Sequence, residues 1–168
     1  TGYEKGGRRD AGQVLANGGL GLLLCAGNWV WPHPLWWYAF LGVMASVTAD
    51  TWATEIGSLS KSPPRSIKTG RRVAPGTSGG VSGLGLAASL AGGLFIGAAA
   101  WALWALSGQA APNDAGLPVK LVFWAAIACL SGFAGSLADS LLGATWQLMH
   151  RCNVCGREIE QARHCGQS

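Results

Sequence analysis

Charge is scarce in this 168-residue chain. Asp, Glu, Lys and Arg make up only 12% of it, about half the share usual in soluble proteins. That argues against an ordinary water-facing globular domain. The net charge of +4 is too small to read as a nucleic-acid signal, so no nucleic-acid partner is expected. No secretory leader is legible: Thr1–Asp10 is polar and basic, and no cleavage pattern follows the first apolar run. The Gly-Lys-Ser/Thr ending of a Walker A loop is also absent, which excludes that mode of phosphate binding.

What is present suits a membrane. Mean hydropathy is positive at +0.27, with 26 Gly and 9 Trp. Glycine permits close helix contact, and Trp favours the bilayer interfaces. The expected class is all-α: a polytopic helix bundle with about four spanning segments. These run from about Gln13 to Trp31, Leu35 to Leu59, Ser82 to Leu106 and Val119 to Met149. Trp29, Trp31, Trp36, Trp37 and Tyr38 form an aromatic belt around the Pro32-His33-Pro34 turn, where His33 reads as a solvated residue. Gly93 and Gly97 have the small-xxx-small spacing of close helix contacts. The fourth segment exceeds the roughly 20 residues needed to span, so it must tilt, break or protrude. Ser131-Gly132 and Gly135-Ser136 are the expected kink positions.

The chain reads as a single membrane domain over 1–168, with an arm at 1–12, a loop at 60–76 and a tail at 150–168. With four spans these three polar regions share one side. They hold eleven of the 12 Lys and Arg residues, leaving Lys120 opposite. The positive-inside rule makes the basic side cytoplasmic.

The central stretch is Ala49–Ser82. Asp50, Thr54 and Glu55 lie near the end of the second segment. Ser136, Asp139 and Ser140 lie at similar depth in the fourth. Carboxylates in hydrocarbon are costly and usually line a cavity or bind something. Asp50 shares a helical face with Thr54, and Thr51 with Glu55. Asp50 and Glu55 point about 140° apart, so they are poor joint ligands for one ion. Gly132, Gly135, Ser136, Asp139, Ser140 and Gly143 form a small polar stripe suited to presenting Asp139 inside the bundle. Lys61, Arg65, Lys68, Arg71 and Arg72 supply cations for phosphate oxygens. Thr77, Ser78, Gly79 and Gly80 precede an apolar helix and would offer hydroxyls and backbone N–H groups to an anion. Mg²⁺ bridging aspartates and phosphates would complete such a site.

Each feature also has a purely structural explanation. The basic loop fixes topology or meets anionic headgroups. Thr77–Gly80 caps and turns the chain. Asp50 or Glu55 pairs with Arg71 or Arg72. Cys25 and Cys129 are small apolar residues in their segments. In the tail, Cys152, Cys155, His164 and Cys165 could assemble a four-ligand zinc site. Adjacent His164 and Cys165 are awkward ligands for one tetrahedral ion, however, and free thiols are the default.

Several blocks together resemble one known family. They are Gly7-Arg8-Arg9, Gln13 to Gly19, Ala49 to Gly57, Gly76 to Ser82 and Gly135 to Ala144. The chain is similar to the integral membrane family filed as domain of unknown function 92, which includes transmembrane protein 19 and phytyl-phosphate kinase-like members. The blocks recur in order over nearly the whole chain, and the family usually extends further at both ends. The resemblance implies a membrane-bound transferase. It would move phosphate from CTP or another nucleoside triphosphate to a phytyl or other isoprenoid monophosphate. Asp50 and Asp139 would hold Mg²⁺, and Lys68, Arg71, Thr77, Ser78 and Gly79 the nucleotide phosphates. Arg9, Gln13 and Asn17 would help to close the pocket. The expected partners are the bilayer, the lipid phosphate and the nucleotide, with room for a homodimer. The competing expectation is a transporter or flippase for an anionic or lipid-linked solute, and a third is a scaffold with a zinc-binding tail.

Overall fold

The computed structural model describes residues 11–108, 116–146 and two short strands at 150–151 and 158–159. Four helices dominate them: α1 (Ala11–Val30), α2 (Pro34–Gly57), α3 (Gly83–Leu106) and α4 (Leu117–Trp146). The loop after α2 carries β1 (Arg65–Ser66) and β2 (Gly80–Val81), paired antiparallel. After α4, β3 (His150–Arg151) pairs antiparallel with β4 (Glu158–Ile159). The cysteine tail otherwise lies outside the described residues, as does Arg9. The fold is an all-α helical membrane bundle, as the composition leads one to expect.

Local chemistry explains the helix boundaries. Pro34 opens α2, where a missing N–H costs nothing, and His33 caps it by accepting from the Leu35 N–H at 3.2 Å. Ser82 caps α3 by accepting from the Gly85 N–H at 3.0 Å. Its own hydroxyl donates to the Gly57 carbonyl at 3.3 Å, which clips the end of α2 to the start of α3. Replacing Ser82 by Ala is therefore expected to lower stability by about 1 kcal/mol, measured by thermal unfolding in detergent.

α2, α3 and α4 pack through small residues. A Cβ added at Gly92 would lie 3.1 Å from the Ala49 Cα, and one at Gly93 2.7 Å from the Ala128 carbonyl oxygen. At Gly132 it would lie 2.9 Å from the Ala45 carbonyl oxygen. Leu41, Ala45, Ala49 and Ala128 are almost wholly buried in this seam. The Gly93–Gly97 spacing thus faces α4, as small-residue contacts in membranes require. Helix α1 packs on α2, with Gly21 against Met44 and Gly27 against Trp36. Its outward leucines stay exposed, as lipid-facing residues do.

α3 and α4 are long and apolar enough to cross a membrane. In α1 the apolar part is only Gly18–Val30, and α2 becomes polar beyond Val47 where it carries site residues. α4 rises about 45 Å as one helix without a break. Ser131 bonds its own helix, donating to the Ile127 carbonyl at 2.8 Å. Gly132 and Gly135 make close contact with α2. The length is accommodated by tilt or protrusion.

Candidate functional site

One end of the bundle holds a cavity of about 450 Å³. Three helices and the intervening loop build it. α2 contributes Asp50 and Thr54, and α4 contributes Ser136, Asp139 and Ser140. The loop turn contributes Thr77, Ser78 and Gly79, and Ser82 and Gly85 close the α3 side. The polar residues of the second and fourth segments therefore meet in space, although about 85 positions separate them.

Ser136 holds one of the two carboxylates, and the other lies near it. Its hydroxyl hydrogen-bonds the Asp50 side chain, and the Asp139 charge is close enough to act on Asp50. Ser136 is buried at 5% exposure, Asp50 is half-buried and Asp139 is exposed. Asp139 lies about 33 Å along α4 from Leu117 and Asp50 about 24 Å along α2 from Pro34. Replacing Ser136 by Ala frees the Asp50 carboxylate to rotate. If the site is catalytic, turnover should fall about 10- to 100-fold with little change in substrate KM, in a steady-state assay.

The loop is fastened to α4 at Gly79. Its φ of +72° favours glycine, and an added Cβ would collide with Ala144 and lie 2.9 Å from the Ser140 carbonyl oxygen. The Gly79 carbonyl accepts from the Ile67 N–H at 2.9 Å. With the β1–β2 pairing, this bond joins the cavity wall to the basic part of the loop. The turn itself differs from a helix N-terminus. The Thr77 N–H donates to Ala74, the Gly80 N–H donates to Thr77, and α3 begins only at Gly83. The Thr77 and Gly80 N–H groups are engaged in turn bonds, so Thr77 offers mainly its hydroxyl.

Other expected site residues stand apart. Glu55, Lys68 and Arg71 are exposed and do not line the cavity. Among the described residues no Lys or Arg lines it. The side chains of Gln13 and Asn17 lie outside the described residues, although their backbone belongs to α1. Conversely, Ser58, Ser60 and Ser62 line the cavity without having been singled out in the sequence. They fall at every second position, while Leu59 between them is 74% exposed. That alternation was a usable signal.

Oxygen dominates the donor set: two carboxylates and several hydroxyls. Among the described residues no group of three or more His, Cys, Asp or Glu could hold a metal. An ion held by one or two carboxylates, with phosphate and water completing its shell, matches the habit of Mg²⁺. Zn²⁺ favours nitrogen or sulfur ligands, and among the described residues none lines this cavity.

The model of the integral membrane protein family DUF92 matches residues 1–168. The chain belongs to that family. It is 38% identical over 119 residues to protein PGR of Arabidopsis thaliana, covering 71% of this chain and 40% of that one. It is 30% identical over 144 residues to an uncharacterized membrane protein of Methanocaldococcus jannaschii, covering 83% of this chain and 52% of that one. The DUF92 chain thus spans about half the length, or less, of these curated relatives. No solved structure matches it.

Proposed function

We propose that this DUF92 protein is a membrane-bound kinase that transfers phosphate from CTP or another nucleoside triphosphate to an isoprenoid monophosphate. The observation that carries the reading is the meeting of Asp50, held by Ser136, and Asp139 in one cavity with Thr77 and Ser78 at one end of the bundle. By its eleven-to-one charge bias this end faces the cytoplasm, where nucleotides are. A transporter site, by contrast, usually sits near the midplane.

In this reading an oxygen of the lipid phosphate attacks the terminal phosphorus of the nucleotide. The new P–O bond forms as the bond to the nucleoside diphosphate breaks, which gives the isoprenoid diphosphate. The attacking oxygen is already anionic, so no strong base is needed. The protein has to align two anions and screen their repulsion. Asp50 and Asp139 are the residues that would hold Mg²⁺, which supplies charge neutralisation when bound. Ser136 fixes the Asp50 carboxylate. Thr77, Ser78 and Ser140 donate to phosphate oxygens. Thr54 and Gly79 shape the pocket. Lys68 and Arg71, outside the cavity wall, meet the outer part of the nucleotide.

The test uses full-length protein in lipid with labelled CTP, Mg²⁺ and phytyl or geranylgeranyl phosphate. Labelled isoprenoid diphosphate is expected. Absence of product across several prenyl phosphates and nucleotides would overturn the assignment. Movement of the lipid phosphate across sealed vesicles without chemistry would favour a transporter instead.

A further inference from the structure

The loop between α2 and α3 sets two arginines against each other. An isolated antiparallel bridge pairs Arg65 with Arg72. Residues directly opposite across such a bridge project from the same face, and like charges placed there repel. Both arginines are exposed, and neither lines the cavity. The chain offers no neighbouring acid in sequence: no Asp or Glu occurs between Glu55 and Asp114. The arrangement is nevertheless firmly built. The Ser66 N–H donates to the Arg71 carbonyl at 2.9 Å, the Gly70 N–H to Ser66 at 2.8 Å and the Val73 N–H to Pro64 at 2.9 Å. The Arg65 guanidinium is itself oriented, donating from Nη1 to the Gly70 carbonyl at 3.2 Å.

Two arginines opposite each other on one face of a firmly bonded hairpin, one with its guanidinium oriented, form a receptor for an oxyanion. Their forked donors suit phosphate. We propose that Arg65 and Arg72 clamp the phosphate of an anionic phospholipid headgroup, at a site separate from the cavity. Position decides between lipid and soluble phosphate. The hairpin joins the ends of α2 and α3, where a membrane-spanning bundle meets its headgroup layer, and neither arginine lines the cavity. Because Ile67 in this hairpin is bonded to Gly79 in that wall, an occupied clamp would also steady the turn that carries Thr77 and Ser78.

The test starts from full-length protein in nanodiscs of mixed phosphatidylglycerol and phosphatidylcholine. Lipids retained after transfer to detergent are counted by native mass spectrometry. Wild-type protein is expected to retain phosphatidylglycerol selectively. The double variant Arg65→Gln/Arg72→Gln should weaken that retention about 30-fold. A second variant separates charge from damage. Arg72→Glu supplies an internal counter-ion, so it should abolish phosphatidylglycerol preference while raising the unfolding temperature in pure phosphatidylcholine. Unchanged phosphatidylglycerol retention in the double variant would overturn the proposal. So would displacement of the lipid by millimolar CTP or inorganic phosphate, which would identify a soluble anion as the ligand.

Discussion

Replacing Asp139 by Asn is expected, on the proposed kinase reading, to reduce phosphoryl transfer at least about 100-fold and to leave the bundle folded, or even firmer. The two halves of this expectation come from the same geometry. Asp139 is exposed at the far end of α4, so its side chain holds no core together. Its charge acts on Asp50 across the site, and two carboxylates facing one apolar-walled cavity repel. Removing one charge relieves that repulsion. Asparagine keeps the shape but loses the negative oxygen needed to hold a divalent cation. Lost activity with a steady or raised unfolding temperature in detergent is the signature of a residue kept for function at some cost in stability. Turnover retained by the folded variant would remove Asp139 from the cation-binding role. Lost turnover with a sharply lowered unfolding temperature would mean that Asp139 is structural instead. The measurement therefore pairs a product assay with thermal unfolding on the same preparation.

Much of this architecture was legible because helical periodicity preserves phase. The stripe Gly132, Gly135, Ser136, Asp139, Ser140 and Gly143 could be read as one face without coordinates, and Ser136, Asp139 and Ser140 do line the cavity beside Asp50. The 140° divergence of Asp50 and Glu55 could be read the same way, and Glu55 does lie off the cavity. What escaped was non-local. The neighbours Ala45 and Ser46 decide that Gly132 and Gly135 serve contact. The basic loop looked like a cationic wall because charge can be counted along a sequence and side-chain direction cannot. That direction follows from the pairing of Arg65 with Arg72 and from the seating of Gly79 on α4. Ser58, Ser60 and Ser62 were hidden for a related reason. Hydroxyls carry little hydropathy signal, and they lie among prolines and bases that mark the segment only as a loop.

The largest effect on folding should come from Gly97, in the apolar heart of α3. A Cβ there would lie 2.5 Å from the Ala125 Cα and 2.8 Å from the Trp124 carbonyl oxygen. Both are backbone atoms, so no side-chain rotation can make room. Gly97→Leu must push α3 and α4 apart, which opens the seam that also buries Ala128 and Trp124. In a bilayer the hydrophobic effect does not drive the helices back together, because lipid tails solvate leucine as well as another helix does. Packing contacts carry the association, and this substitution removes them over several turns. Overpacking of this kind costs about 1–3 kcal/mol in an adjustable core, and a backbone clash places Gly97→Leu at or above the upper end. The expected result is a large fall in unfolding temperature in detergent, with loss of the cavity as a secondary consequence. Gly83→Leu is the matched comparison. It adds the same side chain to the same helix where nothing lies within 4 Å of the new Cβ, and it should leave the unfolding temperature nearly unchanged. If the two variants unfold alike, close α3–α4 contact is not what holds the bundle together. If only Gly97→Leu collapses, the glycines of α3 are structural contacts, and the polar end of the bundle depends on a seam more than two helical turns away.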